Sequence, residues 1–248
     1  MTKVLFVLSA ADRWSLTDGS VYLSGFWAEE VVVPHRTFAE AGWEIVFATP
    51  GGRAPTLDQR SIPTAGSAKA RRGSSQIVEQ FLDIAAQRYL ARLSDELTFP
   101  LALKTVVSDT FDLIFYPGGH GPMEDLAYDE VSGVLLAERL ESGRPLALLS
   151  HAPAAVLAVP SPHGVSPFGG YRMTAVSNRE ELLNRFAKKA PWLLEDRLRA
   201  LGVDYIRGRY PLRSHVVVDR NVYTGQNTRS AQELAERLVA DIGARSRV

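Results

Sequence analysis

Short apolar runs that alternate with segments of helical spacing constrain this chain more than any other feature. Residues 146–149, Leu-Ala-Leu-Leu, form an uninterrupted apolar run, which is typical of a strand buried on both faces of a parallel sheet. We predict strands over residues 3–8, 43–48, 113–116, 146–149, 171–176, 215–219 and 221–223. Because helical patterns separate most of these runs, the sequence predicts an α/β fold, a mostly parallel sheet covered on both faces.

The helical patterns fall between the predicted strands. We predict helices over residues 26–41, 130–141, 180–189, 191–200 and 230–242, and another that begins at residue 152. Residues 57–103 start as a polar, irregular stretch and continue with apolar side chains at helical spacing. We therefore expect one domain over residues 1–248, with a helical insertion at 57–103 beside the sheet.

The composition narrows the classes of function. The chain of 248 residues has 28 basic and 28 acidic side chains, and this balance does not favour binding to nucleic acid or to an anionic membrane surface. It has no cysteine, which excludes disulfides and thiolate metal sites. No apolar run approaches about 18 residues, so we expect no membrane span and a soluble, cytoplasmic protein.

A polar pair follows one buried strand directly. Ser150 and His151 come after the apolar run at 146–149, and small residues with Pro153 come next. This layout is typical of a nucleophile elbow, the sharp turn that lifts a side chain clear of a sheet and aims backbone N–H groups at the same place. A plain strand-loop-helix junction is the alternative interpretation of this pattern.

A glycine-rich loop follows the predicted strand at 113–116. Paired glycines permit unusual φ values and present N–H groups to an anion, and the carboxyl ends of parallel strands share one edge of a sheet. We therefore expect Gly118, Gly119 and His120 to lie beside Ser150 as an oxyanion site or pocket. On its own, His120 is interpreted as a structural hydrogen-bonding residue rather than an acid or base.

Five segments of the chain occur in a characteristic order. They are Gly-Phe-Trp-Ala-Glu-Glu at 25–30, Ala-Thr-Pro-Gly-Gly at 48–52, Tyr-Pro-Gly-Gly-His-Gly at 116–121, Ser-His-Ala-Pro-Ala-Ala at 150–155 and Val-Asp-Arg-Asn-Val-Tyr-Thr-Gly-Gln-Asn at 218–227. Through them the chain resembles the ThiJ/PfpI superfamily, a class I glutamine amidotransferase-like group, and within it the glyoxalase III-like, heat-inducible chaperone branch. The resemblance spans residues 3–239 and implies a flavodoxin-like sandwich, usually a homodimer.

The resemblance also implies a site. Its members carry a cysteine nucleophile at the elbow, a histidine directly after it, and a glutamate on a helix that hydrogen-bonds the sulfur. These roles fall on Ser150, His151 and Glu30. An acidic or amide partner that orients the histidine is expected in residues 176–181, where Asn178 and Glu180 are the candidates.

Serine at the cysteine position leaves three interpretations open. A thiolate is accessible near neutral pH, whereas a serine hydroxyl needs a base to take its proton during attack. Ser150 is therefore an engineered inactive substitution, or a natural residue of a non-catalytic protein, or a serine nucleophile served by His151. The absence of every cysteine from the chain favours a natural serine.

The resemblance implies a lyase or hydratase that converts small dicarbonyls such as methylglyoxal into hydroxy acids without glutathione or metal. The alternatives are a non-catalytic member that acts as a stress chaperone or small-molecule binder, and a serine-dependent amidase or peptidase. The expected partner is a small carbonyl compound. No cofactor is expected, and no metal, because no pair of histidines or cluster of carboxylates has the spacing of a metal site.

Overall fold

A mixed sheet of seven strands forms the centre of the computed structural model, which describes residues 1–62 and 85–245. The strands are β1 (Lys3–Val7), β2 (Arg13–Ser15), β3 (Val21–Leu23), β4 (Glu44–Thr49), β5 (Leu101–Ala102), β6 (Leu113–Tyr116), β7 (Leu146–Leu149), β8 (Arg172–Met173), β9 (Asp204–Tyr205), β10 (Val216–Asp219) and β11 (Val222–Gly225). The central sheet has the order β10-β11-β7-β6-β1-β4-β5 and is parallel except for the antiparallel pairing of β10 with β11. This confirms the predicted α/β fold.

Helices cover both faces of this sheet. The α-helices are α1 (Ala28–Glu40), α2 (Ser94–Thr98), α3 (Gly121–Glu124), α4 (Glu130–Glu141), α5 (Asn178–Leu183), α6 (Leu194–Ala200) and α7 (Ala231–Arg245). The side chains of β1 alternate between two cores: Leu5 lies in the core that includes α4, and Phe6 lies in the core under α1 and α7. Because each strand supplies both cores, the central runs have to be apolar at every position.

The central strands β1, β6 and β7 position the functional loops. The four side chains of β7 are fully buried, as the uninterrupted apolar run at 146–149 predicts. Because β1, β4, β6 and β7 are parallel, the segments that follow them leave from the same edge of the sheet. This edge holds the loop of Gly118 and the turn of Ser150.

Two predicted elements differ from the structure near this edge. The segment after the elbow, Ala152–Ala158, is a 3-10 helix instead of an α-helix. Only Arg172–Met173 of the predicted strand at 171–176 is extended, and it pairs with β9 in a separate two-stranded sheet. The rest of that segment is held against the elbow, since the Val176 N–H donates to the carbonyl of Ser150 over 3.0 Å.

The predicted insertion at 57–103 can be followed only in part. Residues 63–84 lie outside the described residues, while residues 85–92 and Ser94–Thr98 are helical. Its last residues, Leu101–Ala102, add an edge strand to the main sheet next to β4. Among the described helices, none combines the length and the apolar character that crossing a membrane requires.

Candidate active site

Ser150 stands at a strained turn directly after β7. Its φ of 62° lies in the left-handed region, which costs a non-glycine residue about 1–3 kcal/mol and is typical of functional turns. Two hydrogen bonds hold the turn: the Ser150 N–H donates to Gly225 over 2.8 Å, and the Ser150 carbonyl accepts from Val176 over 3.0 Å. The predicted elbow geometry is therefore present, with a buried serine at its tip.

His151 links Ser150 to a carboxylate. The Ser150 Oγ lies 3.3 Å from His151 Nδ1, and His151 Nε2 lies 2.6 Å from Glu181 Oε1. With Nε2 protonated and donating to Glu181, the lone pair of Nδ1 faces the serine hydroxyl. The three side chains are all buried, and they form the nucleophile–base–carboxylate chain that activates a serine in hydrolases.

The structure corrects the prediction of which residue orients His151. The sequence analysis assigns this role to Asn178 or Glu180, but Asn178 donates to Asp196 over 2.7 Å, and the carboxylate that hydrogen-bonds His151 belongs to Glu181. Glu180 is occupied as the third helical residue of a capping box with Ser177, with which it exchanges hydrogen bonds of 2.9 and 3.3 Å. Glu181, one residue further along α5, therefore faces the site.

Glu30 reaches the site from α1. It lies in the first turn of α1 and is buried. Its Oε2 accepts the Gly118 N–H over 2.9 Å, and its Oε1 accepts the hydroxyl of Thr228 over 2.6 Å. Gly118 lies against both Glu30 Oε2 and the backbone nitrogen of His151, so the structure brings Glu30 close to the Ser150–His151 turn, as the resemblance implies.

The glycine loop after β6 fits between Glu30 and the elbow. A Cβ at Gly118 would lie 2.5 Å from Glu30 Oε2 and 2.9 Å from the backbone nitrogen of His151. Gly119 has φ of 97°, and a Cβ there would lie 2.2 Å from the carbonyl oxygen of Gly25. Only glycine allows this approach at either position.

The loop divides its backbone donors between two uses. The Gly118 N–H is occupied by Glu30 and so is not a free donor for an oxyanion, which changes the role expected of it. For the N–H groups of Gly119 and His151, no acceptor occurs among the described residues. These two groups are the candidates for an oxyanion site.

His120 lies against the other face of His151. Their ring centroids are 4.1 Å apart, and His120 Nε2 is 3.8 Å from Glu181 Oε1. Aromatic rings of Trp14, Tyr22 and Phe186 surround His120 at centroid distances of 5.0, 5.3 and 4.7 Å. His120 therefore packs against the imidazole of His151 and is enclosed by aromatic rings.

The pKa values of the two carboxyl groups in the site are shifted in opposite directions. Burial raises the pKa of Glu30 to about 7, although hydrogen bonds from Thr228, Ser150 and Gly118 and the nearby His151 oppose that shift. Burial also acts on Glu181, but the electrostatic interaction and hydrogen bond with His151, together with the nearby imidazole of His120, outweigh it and hold the pKa of Glu181 well below its usual range. Burial, with the adjacent His151, lowers the pKa of His120 to about 4. At neutral pH His120 is therefore neutral and Glu181 is charged.

Some residues of the site carry no motif in the sequence. Thr228 comes three residues after the end of β11, so the rule that sites form beyond the carboxyl ends of strands could have indicated it. Tyr22 is placed by its hydroxyl, which donates to Asp58 over 2.6 Å. Phe186 lies in an irregular turn, and nothing in its local sequence pattern indicates that its ring packs against His120.

Of the described residues, His120, His151 and Glu181 form the group whose donor atoms could hold a metal ion, with all of these atoms within 4.8 Å of one another. The spacing of these residues along the chain does not indicate a metal site, because His120 follows β6, His151 follows β7 and Glu181 lies in α5. The expectation that no metal site exists rested on that spacing.

Comparison with known proteins places the chain in a family. The family described as "ThiJ/PfpI family-like" matches residues 22–145, which is half of the chain. The chain belongs to the ThiJ/PfpI family. The match includes α1 with Glu30 and the glycine loop, and it ends just before β7.

Relatives of known activity are similar over nearly the whole chain. The protein/nucleic acid deglycase HchA of Escherichia coli (O1:K1 / APEC) is 26% identical over 94% of this chain and 78% of its own length. The protein of the same name from Pseudomonas aeruginosa is 24% identical, again over 94% of this chain and 79% of its own length.

Solved structures show the same fold. Rapid Encystment Protein 24 KDa of Francisella tularensis superposes with a TM-score of 0.80 at 22% identity, over 98% of this chain and 99% of that one. Glyoxalase III from Candida albicans superposes with a TM-score of 0.73 at 20% identity, over 96% of each chain.

Proposed function

We propose that this member of the ThiJ/PfpI family is an enzyme that converts small dicarbonyls such as methylglyoxal into hydroxy acids, with Ser150 as its nucleophile. The observation that carries the proposal is the continuous contact from Ser150 through His151 to the ionised Glu181, with a second carboxyl group, Glu30, on the other side. The similarity to a protein/nucleic acid deglycase supports an enzymatic role.

The first step is attack on the aldehyde. As Ser150 Oγ bonds to the aldehyde carbon, its proton passes to His151 Nδ1, and Glu181 stabilises the imidazolium that results. The oxyanion formed from the aldehyde oxygen takes hydrogen bonds from the N–H groups of Gly119 and His151. Donors of this kind contribute about 10²–10³ in rate each. The imidazolium of His151 then gives its proton to the oxyanion, which leaves a hemiacetal on Ser150 and a neutral His151.

The second step moves a hydrogen between the two carbonyl carbons. Glu30, whose pKa is about 7, is partly ionised at neutral pH and removes the proton from the former aldehyde carbon, giving an enediolate. Glu30 returns that proton to the neighbouring carbon, and the hydroxyl proton on the former aldehyde carbon passes to the neighbouring oxygen, which leaves a hydroxyacyl ester on Ser150. Water activated by His151 then hydrolyses the ester, releases the hydroxy acid and restores the serine, so that the net reaction adds one water.

A serine-dependent amidase or peptidase is the second candidate, and the Ser150–His151–Glu181 arrangement favours it specifically. An acyl enzyme on Ser150 is common to both reactions. The two differ in their use of Glu30, which moves a carbon-bound proton in the dicarbonyl reaction and has no such task in amide hydrolysis. Turnover of methylglyoxal, esters and small amides by one preparation distinguishes them.

Covalent trapping tests the nucleophile without knowledge of the substrate. A fluorophosphonate probe loses fluoride when an activated serine attacks its phosphorus. We expect the probe on the peptide that contains Ser150, no labelling in Ser150→Ala, and strongly reduced labelling in His151→Gln. Labelling of another serine, or equal labelling in His151→Gln, would contradict the proposal. Methylglyoxal that binds without being converted would favour the non-catalytic alternative.

A further inference from the structure

In the described part of the chain, three of the buried polar side-chain atoms without a hydrogen-bond partner lie on two neighbouring residues of the site, His120 and Glu181. The buried side-chain atoms that find no hydrogen bond among the described residues include both ring nitrogens of His120 and Oε2 of Glu181. Leaving such a group unpaired typically costs about 1–3 kcal/mol, so each instance calls for a physical explanation. Here the unpaired atoms belong to two residues that face each other.

The geometry around these atoms is that of an open coordination site. His120 Nε2 lies 3.8 Å from Glu181 Oε1, too far for a hydrogen bond, whereas His151 Nε2 lies 2.6 Å from the same oxygen. Ligands at 2.0–2.2 Å from a tetrahedral metal are about 3.3 Å apart. The distance from Glu181 Oε1 to His120 is longer than this value and the distance to His151 is shorter, so a small shift of the Glu181 carboxylate would make the two equal.

The donor set selects a class of ion. Two imidazoles and one carboxylate suit first-row transition metals such as Zn²⁺, Co²⁺ or Fe²⁺, whereas Mg²⁺ and Ca²⁺ prefer oxygen ligands alone. All three residues are buried, with residue exposures of 5, 5 and 2% for His120, His151 and Glu181. Three protein ligands leave the fourth position of a tetrahedral site for water or substrate.

We propose that His120, His151 and Glu181 form a binding site for one divalent transition-metal ion, and that the ion and the serine nucleophile exclude each other. His151 binds the ion through Nε2, so that its single ring proton moves to Nδ1. This nitrogen then faces Ser150 as a donor and no longer accepts the serine proton. The ion thus replaces the proton that His151 shares with Glu181 and switches off the activation of Ser150.

Metal binding is tested directly and does not require turnover. Untagged protein is dialysed against EDTA and titrated with Zn²⁺ by calorimetry, and with Co²⁺ by its visible absorption. We expect one ion per chain and the intense bands of four-coordinate Co²⁺. His120→Asn should weaken binding by at least about 100-fold, and Glu181→Gln should do the same. Circular dichroism verifies that the variants are folded.

His215→Asn is the matched control, since His215 also has a buried, unpartnered Nε2 but lies outside the group. Its affinity for the ion should equal that of the unchanged protein. No stoichiometric uptake, or uptake that survives in His120→Asn, would overturn the proposed site and would leave ordered water as the partner of His120.

The exclusion between ion and nucleophile has its own measurement. Zn²⁺ should slow fluorophosphonate labelling of Ser150 in the unchanged protein, and it should have no effect on whatever rate His120→Asn retains. If Zn²⁺ binds at one site and labelling continues at the same rate, the exclusion is wrong. Failure of labelling in the metal-free protein contradicts the serine nucleophile but leaves the binding result intact, so the two proposals fail separately.

Discussion

Two buried carboxyl groups flank the same Ser150–His151 pair, and they differ in almost every physical respect. Glu30 accepts hydrogen bonds from two neutral donors, the N–H of Gly118 and the hydroxyl of Thr228, and burial raises its pKa to about 7 although these donors and His151 oppose the shift. Glu181 faces two imidazoles, which hold its pKa well below the usual range. Burial alone therefore does not decide the charge of a carboxyl group; the partners that share its cavity do.

The difference suits the two groups to different tasks. A permanently charged Glu181 stabilises an imidazolium and fixes the tautomer of His151. A group with a pKa near neutrality, such as Glu30, both takes and returns a proton at low cost. The following experiments test this contrast, beginning with the largest expected effect.

The first prediction concerns the charge of Glu181. Glu181→Gln keeps the shape of the side chain but removes the charge that holds His151, so we expect kcat/KM for methylglyoxal to fall by about 10³–10⁴-fold. Steady-state lactate production measures it. Glu180→Gln, which alters the neighbouring capping residue, should lower the melting temperature yet leave kcat/KM per folded molecule within a few fold. Similar losses of kcat/KM in the two variants would show that Glu181 has no special role.

The second prediction concerns Glu30 as a base. We expect Glu30→Gln to reduce kcat by about 10²–10⁴-fold, the contribution of a positioned base. In the unchanged protein, kcat/KM should rise with pH through about 7, the pKa of Glu30, because the ionised form is the active one. The residual rate of Glu30→Gln should lack this rise. Glu29→Gln, on the exposed side of the same helical turn, is the control and should keep it.

The third prediction concerns the stability cost of Glu30. Its folded pKa lies above its usual value of 4.5, so the folded state binds the proton more tightly, and stability is lost as pH rises from about 4.5 through 7. Relative to the unchanged protein, Glu30→Gln should gain about 3 kcal/mol in free energy of unfolding between pH 4 and pH 8. Urea unfolding at the two pH values measures it; a difference that does not change with pH would mean that Glu30 titrates normally.

The fourth and smallest prediction concerns Thr228. Its hydroxyl hydrogen bond lowers the pKa of Glu30, so Thr228→Val should move the rise of kcat/KM with pH upward by about one pH unit or less. Thr228→Ser keeps the hydroxyl and should keep the profile. A profile that is the same in all three proteins would show that Thr228 does not tune Glu30.

The sequence predicted the parts of this site that depend on strand edges. Ser150 and His151 follow β7 and the glycine loop follows β6, and because parallel strands end at one edge, their proximity follows from the pattern alone. Glu30 came from the family resemblance. Its partners Gly118 and Thr228 are 88 and 198 residues away along the chain, and such distant contacts leave no local signal.

A local sequence signal also separates the roles of Glu180 and Glu181. Residues 177–180, Ser-Asn-Arg-Glu, carry the spacing of a capping box, in which the glutamate turns back to the helix start. That signal assigns Glu180 to the cap and leaves Glu181 for the site. The 3-10 helix at Ala152–Ala158 and the pocket position of Phe186 depend instead on how separate segments pack, which no local pattern encodes.

The most direct test of the account compares Ser150 with alanine and cysteine at the same position. We expect the unchanged protein to convert methylglyoxal and generic esters, Ser150→Ala to lose at least about 10³-fold in kcat/KM, and Ser150→Cys to remain active. Equal turnover by the serine and alanine proteins would remove Ser150 from any nucleophilic role. Activity in the cysteine variant with none in the unchanged protein would contradict the serine nucleophile altogether.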